Sequence, residues 1–215
     1  ILLTDYGNTE FRARLAAKYL ETAGRTDIPV AIGVHGADTI GPQGPWAEGY
    51  DLAKYPGDVK EDGVGALIDA IMDSTEPITL CCIGPMPNIR EALRREPEIT
   101  HRARFVGMYG SVYKGYGGKA KPDPEWNVRA DVEACRAGFT APWEMTITPV
   151  DTCGLVVLDG ERYAKVRDCD DPAIRAVIEN YRVWARGRKN VDPETHSSTL
   201  FDTVAAHLIM STQFL

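Results

Sequence analysis

Short apolar segments alternate with segments of helical spacing along this chain, and this alternation restricts its fold more than any other feature. The apolar segments cover residues 1–4, 28–32, 78–83, 104–108 and 145–150. Apolar residues recur at helical spacing in residues 9–23, 63–74, 88–95, 131–138, 172–187 and 202–210. Strands that alternate with helices predict an α/β fold with an open, mainly parallel sheet flanked by helices.

Several polar and turn residues come directly after the predicted strands. Asn8 follows the first strand, Gly84–Pro85 follows the third, and Met108 follows the fourth. Ligands of open α/β sheets bind outside the carboxyl ends of the strands. The sequence therefore predicts a ligand site bordered by these residues.

Length and charge set the class of protein. The chain has 215 residues and a formal net charge of −7, which fits one compact domain over residues 1–215 and argues against a nucleic-acid or anionic membrane partner. No apolar run reaches membrane-spanning length. The chain begins at Ile1 without a methionine and ends on a helix without a clear cap, so we expect it to be truncated at both ends.

The five cysteines form neither a Cys-x-x-Cys pair nor a Cys/His cluster. Such cysteines are typical of buried free thiols in a reducing compartment. We therefore expect a cytoplasmic protein. A periplasmic location stays open, because we expect the natural N-terminus to lie upstream.

Glu125-Trp126-Asn127 places a carboxylate, an aromatic ring and a carboxamide in consecutive positions after a long Gly/Lys-rich loop. Asp131 then predicts the N-cap of a helix. Carboxylate and carboxamide groups together offer acceptors and donors for vicinal hydroxyls, which favours a sugar-binding pocket. The alternative is that Glu125 and Asn127 satisfy backbone groups of their own loop.

Five motifs, in order, resemble the inosine-uridine nucleoside hydrolases. They are Ala23-Gly24-Arg25-Thr26-Asp27-Ile28-Pro29-Val30, Gly84-Pro85-Met86-Pro87-Asn88-Ile89, Val106-Gly107-Met108-Tyr109-Gly110, Glu125-Trp126-Asn127 with Asp131, and Phe201-Asp202 with Ala205. The second is similar to the family's Gly-Pro-Leu-Thr-Asn turn, the third to its Met-Gly-Gly loop, the fourth to its Glu-Phe-Asn and the last to its His-Asp-x-x-Ala. The resemblance implies a Rossmann-like nucleoside hydrolase domain.

The resemblance also implies an N-ribohydrolase, in which Ca2+ holds the attacking water and the ribose hydroxyls. Carried over by position, Asn8 would contact ribose, and Met108, Glu125 and Asn127 would line the ribose pocket. Asp202 and the backbone carbonyl of Ile83 would bind calcium. The family further implies a role in purine and pyrimidine salvage and a homodimer or homotetramer.

Two departures from the family change the expected chemistry. The family's aspartate cluster, which supplies the general base and most calcium ligands, would lie upstream of Ile1, so we expect this chain as given to be inactive. Phe201 stands where the family has a histidine; it would stack on a base but has no proton to give. His196 is a candidate substitute donor.

Each assignment has a structural alternative. Asp202 would be a helix N-cap, Met108 a core residue, Asn8 a turn residue and His196 an exposed loop residue. The alternative function is a non-catalytic protein that binds nucleosides or related ribosyl molecules on the same fold. A third option is a hydrolase of another N-linked substrate.

Overall fold

The computed structural model describes residues 1–211 and 213, and within them it is an α/β protein, as predicted. The strands are β1 (Leu2–Leu3), β2 (Val30–Ala31), β3 (Val59–Lys60), β4 (Ile78–Cys82), β5 (Ala103–Gly107) and β6 (Met145–Ile147). The α-helices are α1 (Thr9–Thr22), α2 (Gly44–Ala47), α3 (Gly63–Met72), α4 (Pro87–Arg95), α5 (Trp126–Ala130), α6 (Val132–Thr140), α7 (Val150–Cys153), α8 (Gly160–Arg167), α9 (Pro172–Ala185) and α10 (Phe201–Met210). Short 3-10 turns lie at Leu52–Lys54, Pro97–His101 and Tyr116–Gly118. No helix in the described ranges combines the length and apolarity that a membrane crossing needs.

The chain divides into two compact units. Unit 1 contains Ile1–Gly63 and Val157–Ser198, and unit 2 contains Val64–Val156 and the chain from Thr199 onward. Each unit has a parallel three-stranded sheet, in the orders β1-β2-β3 and β4-β5-β6. The expected single domain over residues 1–215 stays a prediction, and its last residues 212, 214 and 215 lie outside the described part.

Unit 1 is built on the apolar face of α1. Ala13, Ala17 and Leu20 recur at helical spacing on this face and pack with Val30 of β2 and Tyr55 into one buried cluster. The Tyr55 hydroxyl donates to the carbonyl of Ile28 at 3.0 Å. The apolar periodicity of residues 9–23 therefore predicted the helix itself.

Unit 2 is organised around its central strand, β5. Leu80 of β4 and Met145 of β6 are the register partners of Phe105, which is fully buried. The ring of Trp143 lies 5.3 Å from that of Phe105, and α10 packs against β4 and β5. Strand β5 is thus paired on both edges and packed against α10. The position of the residues that follow β5 is fixed by these contacts.

The structure differs from the sequence-based prediction in four segments. Residues 33–62, where the sequence predicts neither a strand nor a helix, contain α2 and β3, which are too short to give a pattern. The predicted strand 145–150 ends at Ile147, and α7 begins at Val150 after Pro149, which has no N–H for a ladder. Helices α5 and α8 were not predicted.

The cysteines also differ in part from expectation. None of the five forms a disulfide, but only Cys135 and Cys153 are buried, and Cys81 on β4 is exposed. Burial raises the pKa of the Cys153 thiol to about 11, so it is protonated at neutral pH.

Gly107 is the glycine that the sheet of unit 2 requires. A Cβ there would lie 2.6 Å from the carbonyl oxygen of Cys82 and 2.8 Å from the ring of Phe105. We predict that Gly107→Ala lowers the free energy of unfolding by about 1–3 kcal/mol, the usual cost of overpacking, in urea titrations. Gly41→Ala is the control, because the atom nearest its Cβ would be the flexible end of Gln43 at 3.1 Å. Equal stability of the two variants would contradict the prediction.

Candidate active site

The candidate site lies in unit 2, at the carboxyl end of β5. The N–H of Met108 donates to the carbonyl of Cys82 at 3.0 Å. The N–H of Thr148 donates to the carbonyl of Gly107 at 2.8 Å. These bonds continue the ladder just beyond the strands. Met108 is consequently buried at the sheet edge, where α/β folds bind ligands.

Glu125 is a buried carboxylate held by backbone groups from two segments. It caps α5: its Oε1 accepts the N–H of Asn127 at 2.8 Å, and its Oε2 accepts that of Val128 at 3.1 Å. Its Oε2 also accepts the N–H of Gly110, beyond β5, at 3.2 Å. These bonds offset the cost of burying a residue that is only 4% exposed. A carboxylate has about four acceptor positions, so three N–H groups leave one for a ligand.

Asn127 joins this carboxylate to the end of β5. Its Nδ2 donates to the carbonyl of Met108 at 3.0 Å and lies 3.6 Å from the sulfur of the same residue. Hydrogen bonds therefore bring Met108, Glu125 and Asn127 together, and their role in a ribose pocket stays a prediction. The alternative that Glu125 and Asn127 satisfy backbone groups also describes real contacts, so the two interpretations coexist.

Asp202 lies in the first turn of α10, the helix that packs against β4 and β5. Its alternative as a helix cap is wrong: Leu200 is the N-cap, and no residue in the described chain donates a hydrogen bond to the Asp202 carboxylate. Burial, and then the charge of Glu125, raise the pKa of Asp202 to about 6. In the described chain, the Asp202 carboxylate thus has no hydrogen-bond donor to compensate for its burial. It also lies close enough to Glu125 to be repelled by its charge.

The described residues do not by themselves form a metal site. Within them, no group of three or more His, Cys, Asp or Glu side chains can hold a metal ion. The Asp202 carboxylate and the Ile83 carbonyl, directly after β4, are the oxygen donors that a hard cation prefers. The donor chemistry fits Ca2+, but two ligands are fewer than the roughly six to eight it usually takes.

Phe201 and Tyr116 form an aromatic pair on one side of the site. Their rings meet edge to face, with centroids 5.8 Å apart, and both pack against the buried cluster of Met108, Val150, Cys153 and Ala205. The Tyr116 hydroxyl accepts the N–H of Trp126 at 2.9 Å. Sequence reasoning missed Tyr116; its signal was an aromatic residue among glycines in a long loop after a strand.

Trp126 is less buried than a packing residue. It is 49% exposed, and the guanidinium of Arg129 lies 5.1 Å from its ring centroid. About half of the Trp126 side chain is therefore open to solvent.

Asp151 orders the loop that carries Tyr116, a role that no sequence pattern indicated. Its carboxylate accepts the N–H groups of Val112, Tyr113 and Lys114 at 2.8, 2.6 and 2.9 Å. These donors hold the pKa of Asp151 below its ordinary value. A long loop beside the site is thus fixed by one side chain of α7.

Asn8 and His196 belong to unit 1. Asn8 is the N-cap of α1: its Oδ1 accepts the N–H of Phe11 at 2.9 Å, and its Nδ2 donates to the carbonyl of Asp38 at 3.3 Å. His196 is half-buried rather than freely exposed, with Nδ1 3.0 Å from the hydroxyl of Thr195. Their roles toward a substrate stay predictions.

The sequence profile described as inosine-uridine preferring nucleoside hydrolase matches residues 1–215. The chain belongs to this family. The resemblance drawn from the five motifs is thereby confirmed.

Relatives and solved structures agree with this assignment. The chain is 30% identical over 149 residues to the pyrimidine-specific ribonucleoside hydrolase RihB of Escherichia coli, a match covering 67% of this chain and 44% of RihB. It is 29% identical to the non-specific ribonucleoside hydrolase RihC of the same organism, covering 71% of this chain and 48% of RihC. The structure matches the purine-preferring ribonucleoside hydrolase of Gardnerella vaginalis with a TM-score of 0.76 at 19% identity, over 97% of this chain and 70% of the other. The chain spans about half the length of the curated relatives it matches.

Glu125→Gln tests the buried carboxylate. The amide keeps one oxygen and turns an NH2 group toward backbone N–H donors, so we predict a loss of about 1.5–3 kcal/mol in the free energy of unfolding. Denaturant titration measures this loss. Glu133→Gln is the control, because Glu133 forms an exposed ion pair with Arg136; its effect should stay within about 0.5 kcal/mol. If Glu125→Gln proves as stable as the control variant, the role assigned to Glu125 is refuted.

Asp202→Asn tests the raised pKa. The pKa is about 6 in the folded chain and about 3.9 in an unfolded one, so the folded state binds the proton more tightly. Stability conferred by the protonated carboxyl is therefore present below about pH 4 and lost as the pH rises through about 6. We predict that, in EDTA, the Asn variant is more stable than the parent at about pH 7.5, and that the gap closes toward about pH 4. Urea titrations across this range measure the gap; a gap independent of pH would contradict it.

Proposed function

We propose that the protein containing this chain hydrolyses the N-glycosidic bond of ribonucleosides, releasing the base and ribose. The observation that carries the proposal is the joined set of Met108, Glu125, Asn127 and Asp202 at the carboxyl edge of the sheet. Family membership and relatives named as ribonucleoside hydrolases support it.

The charges of the site suit this reaction. Glycoside cleavage passes through an oxocarbenium-like transition state with positive charge near the anomeric carbon. Fixed negative groups stabilise such charge most where water is excluded. Glu125 is buried and already oriented by three N–H groups, and Asp202 is partly buried without a donor of its own in the described chain.

We further propose that the site takes Ca2+, held in part by the Asp202 carboxylate and the Ile83 carbonyl. When bound, the ion would lower the pKa of a coordinated water and orient it with the ribose hydroxyls. The raised pKa of Asp202 supports this assignment, because a cation would remove the electrostatic cost of its charge. Met108, Glu125 and Asn127 would shape the ribose pocket.

The alternative is a ribosyl-binding protein without turnover on the same fold. Phe201 favours it, because an aromatic ring cannot protonate a leaving base. A hydrolase of another N-linked ribosyl substrate is a third possibility, since the fold does not fix the base.

We also propose a homodimer or homotetramer that acts in the cytoplasm in purine and pyrimidine salvage. Cysteines that form no disulfide are in keeping with a reducing compartment. The oligomer and the salvage role rest on the family alone and leave the chemistry of the site unchanged.

The test is release of ribose from inosine and uridine by the whole protein, followed with a reducing-sugar assay. We predict release with Ca2+ present, loss of release in excess EDTA, and recovery when Ca2+ is restored. Failure to release ribose from any of a panel of nucleosides would contradict a hydrolase. Nucleoside binding by calorimetry without release would then support the binding protein.

The metal has a readout independent of turnover. Ca2+ should raise the thermal unfolding temperature of the parent protein and leave that of Asp202→Asn nearly unchanged, because binding only to the folded state stabilises it. An equal shift in both proteins would remove Asp202 from the metal site.

A further inference from the structure

Tyr116 contacts both Phe201 and the backbone of the Glu125-Trp126-Asn127 segment. Its ring contacts Phe201, the residue expected to stack on a base, edge to face. Its hydroxyl lies 2.9 Å from the backbone nitrogen of Trp126, the residue between Glu125 and Asn127. The charge of Glu125 also acts on this hydroxyl, so the hydroxyl lies near the carboxylate proposed to contact ribose.

The Tyr116 hydroxyl has a proton to give. It accepts one hydrogen bond, from Trp126, and donates none to any residue in the described part of the chain. Burial raises the pKa of Tyr116 more than the Trp126 N–H lowers it, so the group stays a donor at neutral and mildly alkaline pH.

The neighbouring polar groups are mostly used by the protein itself. Three backbone N–H groups occupy the Glu125 carboxylate, and the Asn127 amide donates to the Met108 carbonyl. A sugar hydroxyl that donates a hydrogen bond to Glu125 still needs a hydrogen-bond donor for its own oxygen. Tyr116 supplies such a donor next to that carboxylate.

We propose that Tyr116 is a substrate-contacting residue whose hydroxyl donates a hydrogen bond to one hydroxyl group of the ribosyl moiety. This inference rests on the proposed function, namely that the site takes a ribosyl substrate. The ring contributes separately, by holding Phe201 in place.

Tyr116→Phe removes the hydroxyl and keeps the ring. Inosine and its 2′-, 3′- and 5′-deoxy analogues are compared as kcat/KM, or as Kd where no turnover occurs. We expect the Phe variant to be about 3- to 10-fold weaker than the parent on inosine, the usual worth of one neutral hydrogen bond. The loss should disappear for the one analogue that lacks the bonded hydroxyl.

Tyr113→Phe is the matched control, because Tyr113 lies on the same loop and is 78% exposed; it should behave as the parent. An equal loss on all four compounds would make Tyr116 a structural residue acting through Trp126. No loss on inosine, with thermal unfolding unchanged, would also overturn the inference. A parent protein that neither binds nor cleaves any of the four compounds would instead overturn the proposed function.

Discussion

The buried carboxylate of Glu125 is the interaction on which the candidate site depends. Its oxygens bind N–H groups of Gly110, beyond β5, and of Asn127 and Val128, in α5. A buried charge is tolerated only when such donors surround it. The carboxylate therefore ties the sheet edge to a helix of little more than one turn, which is too short to be stable by itself. Asn127 is placed on the Met108 carbonyl as a consequence.

A second carboxylate, that of Asp202, adds uncompensated negative charge to the candidate site. Asp202 has no hydrogen-bond donor in the described chain, and the charge of Glu125 adds to the cost of its ionisation. Two carboxylates that repel each other lower the stability of the folded state. Such costly arrangements are typical of functional sites. A bound cation or a positively charged transition state would relieve the same repulsion. This common requirement links the proposed metal to the proposed chemistry.

Sequence reasoning succeeded where the signal was local. The strands at 78–83 and 104–108 and the N-cap Asp131, whose carboxylate accepts the N–H of Ala134 at 3.0 Å, follow from short-range patterns. It failed where contacts span long separations. Asp151 binds N–H groups 37 to 39 residues earlier in the chain, and no local pattern records such a pair. Residue type alone pointed to Glu125 and Asn127, and the family resemblance added Asp202, but neither indicated Tyr116.

The way the polar groups are shared between backbone and ligand also bears on specificity. Glu125 uses most of its acceptor positions on backbone N–H groups, and the Asn127 amide donates to the Met108 carbonyl, which fixes both side chains before any ligand arrives. Preorganised groups lose little conformational entropy on binding. Hydrogen bonds from their remaining acceptor and donor positions therefore contribute most of their free energy to affinity. Discrimination among ribosyl ligands should then depend on the few groups left over: one acceptor position of Glu125, the Asp202 carboxylate and the hydroxyl of Tyr116. In the proposed site Phe201 would meet the base, where it offers contact area but no hydrogen bond, so base choice there would rest on shape and stacking.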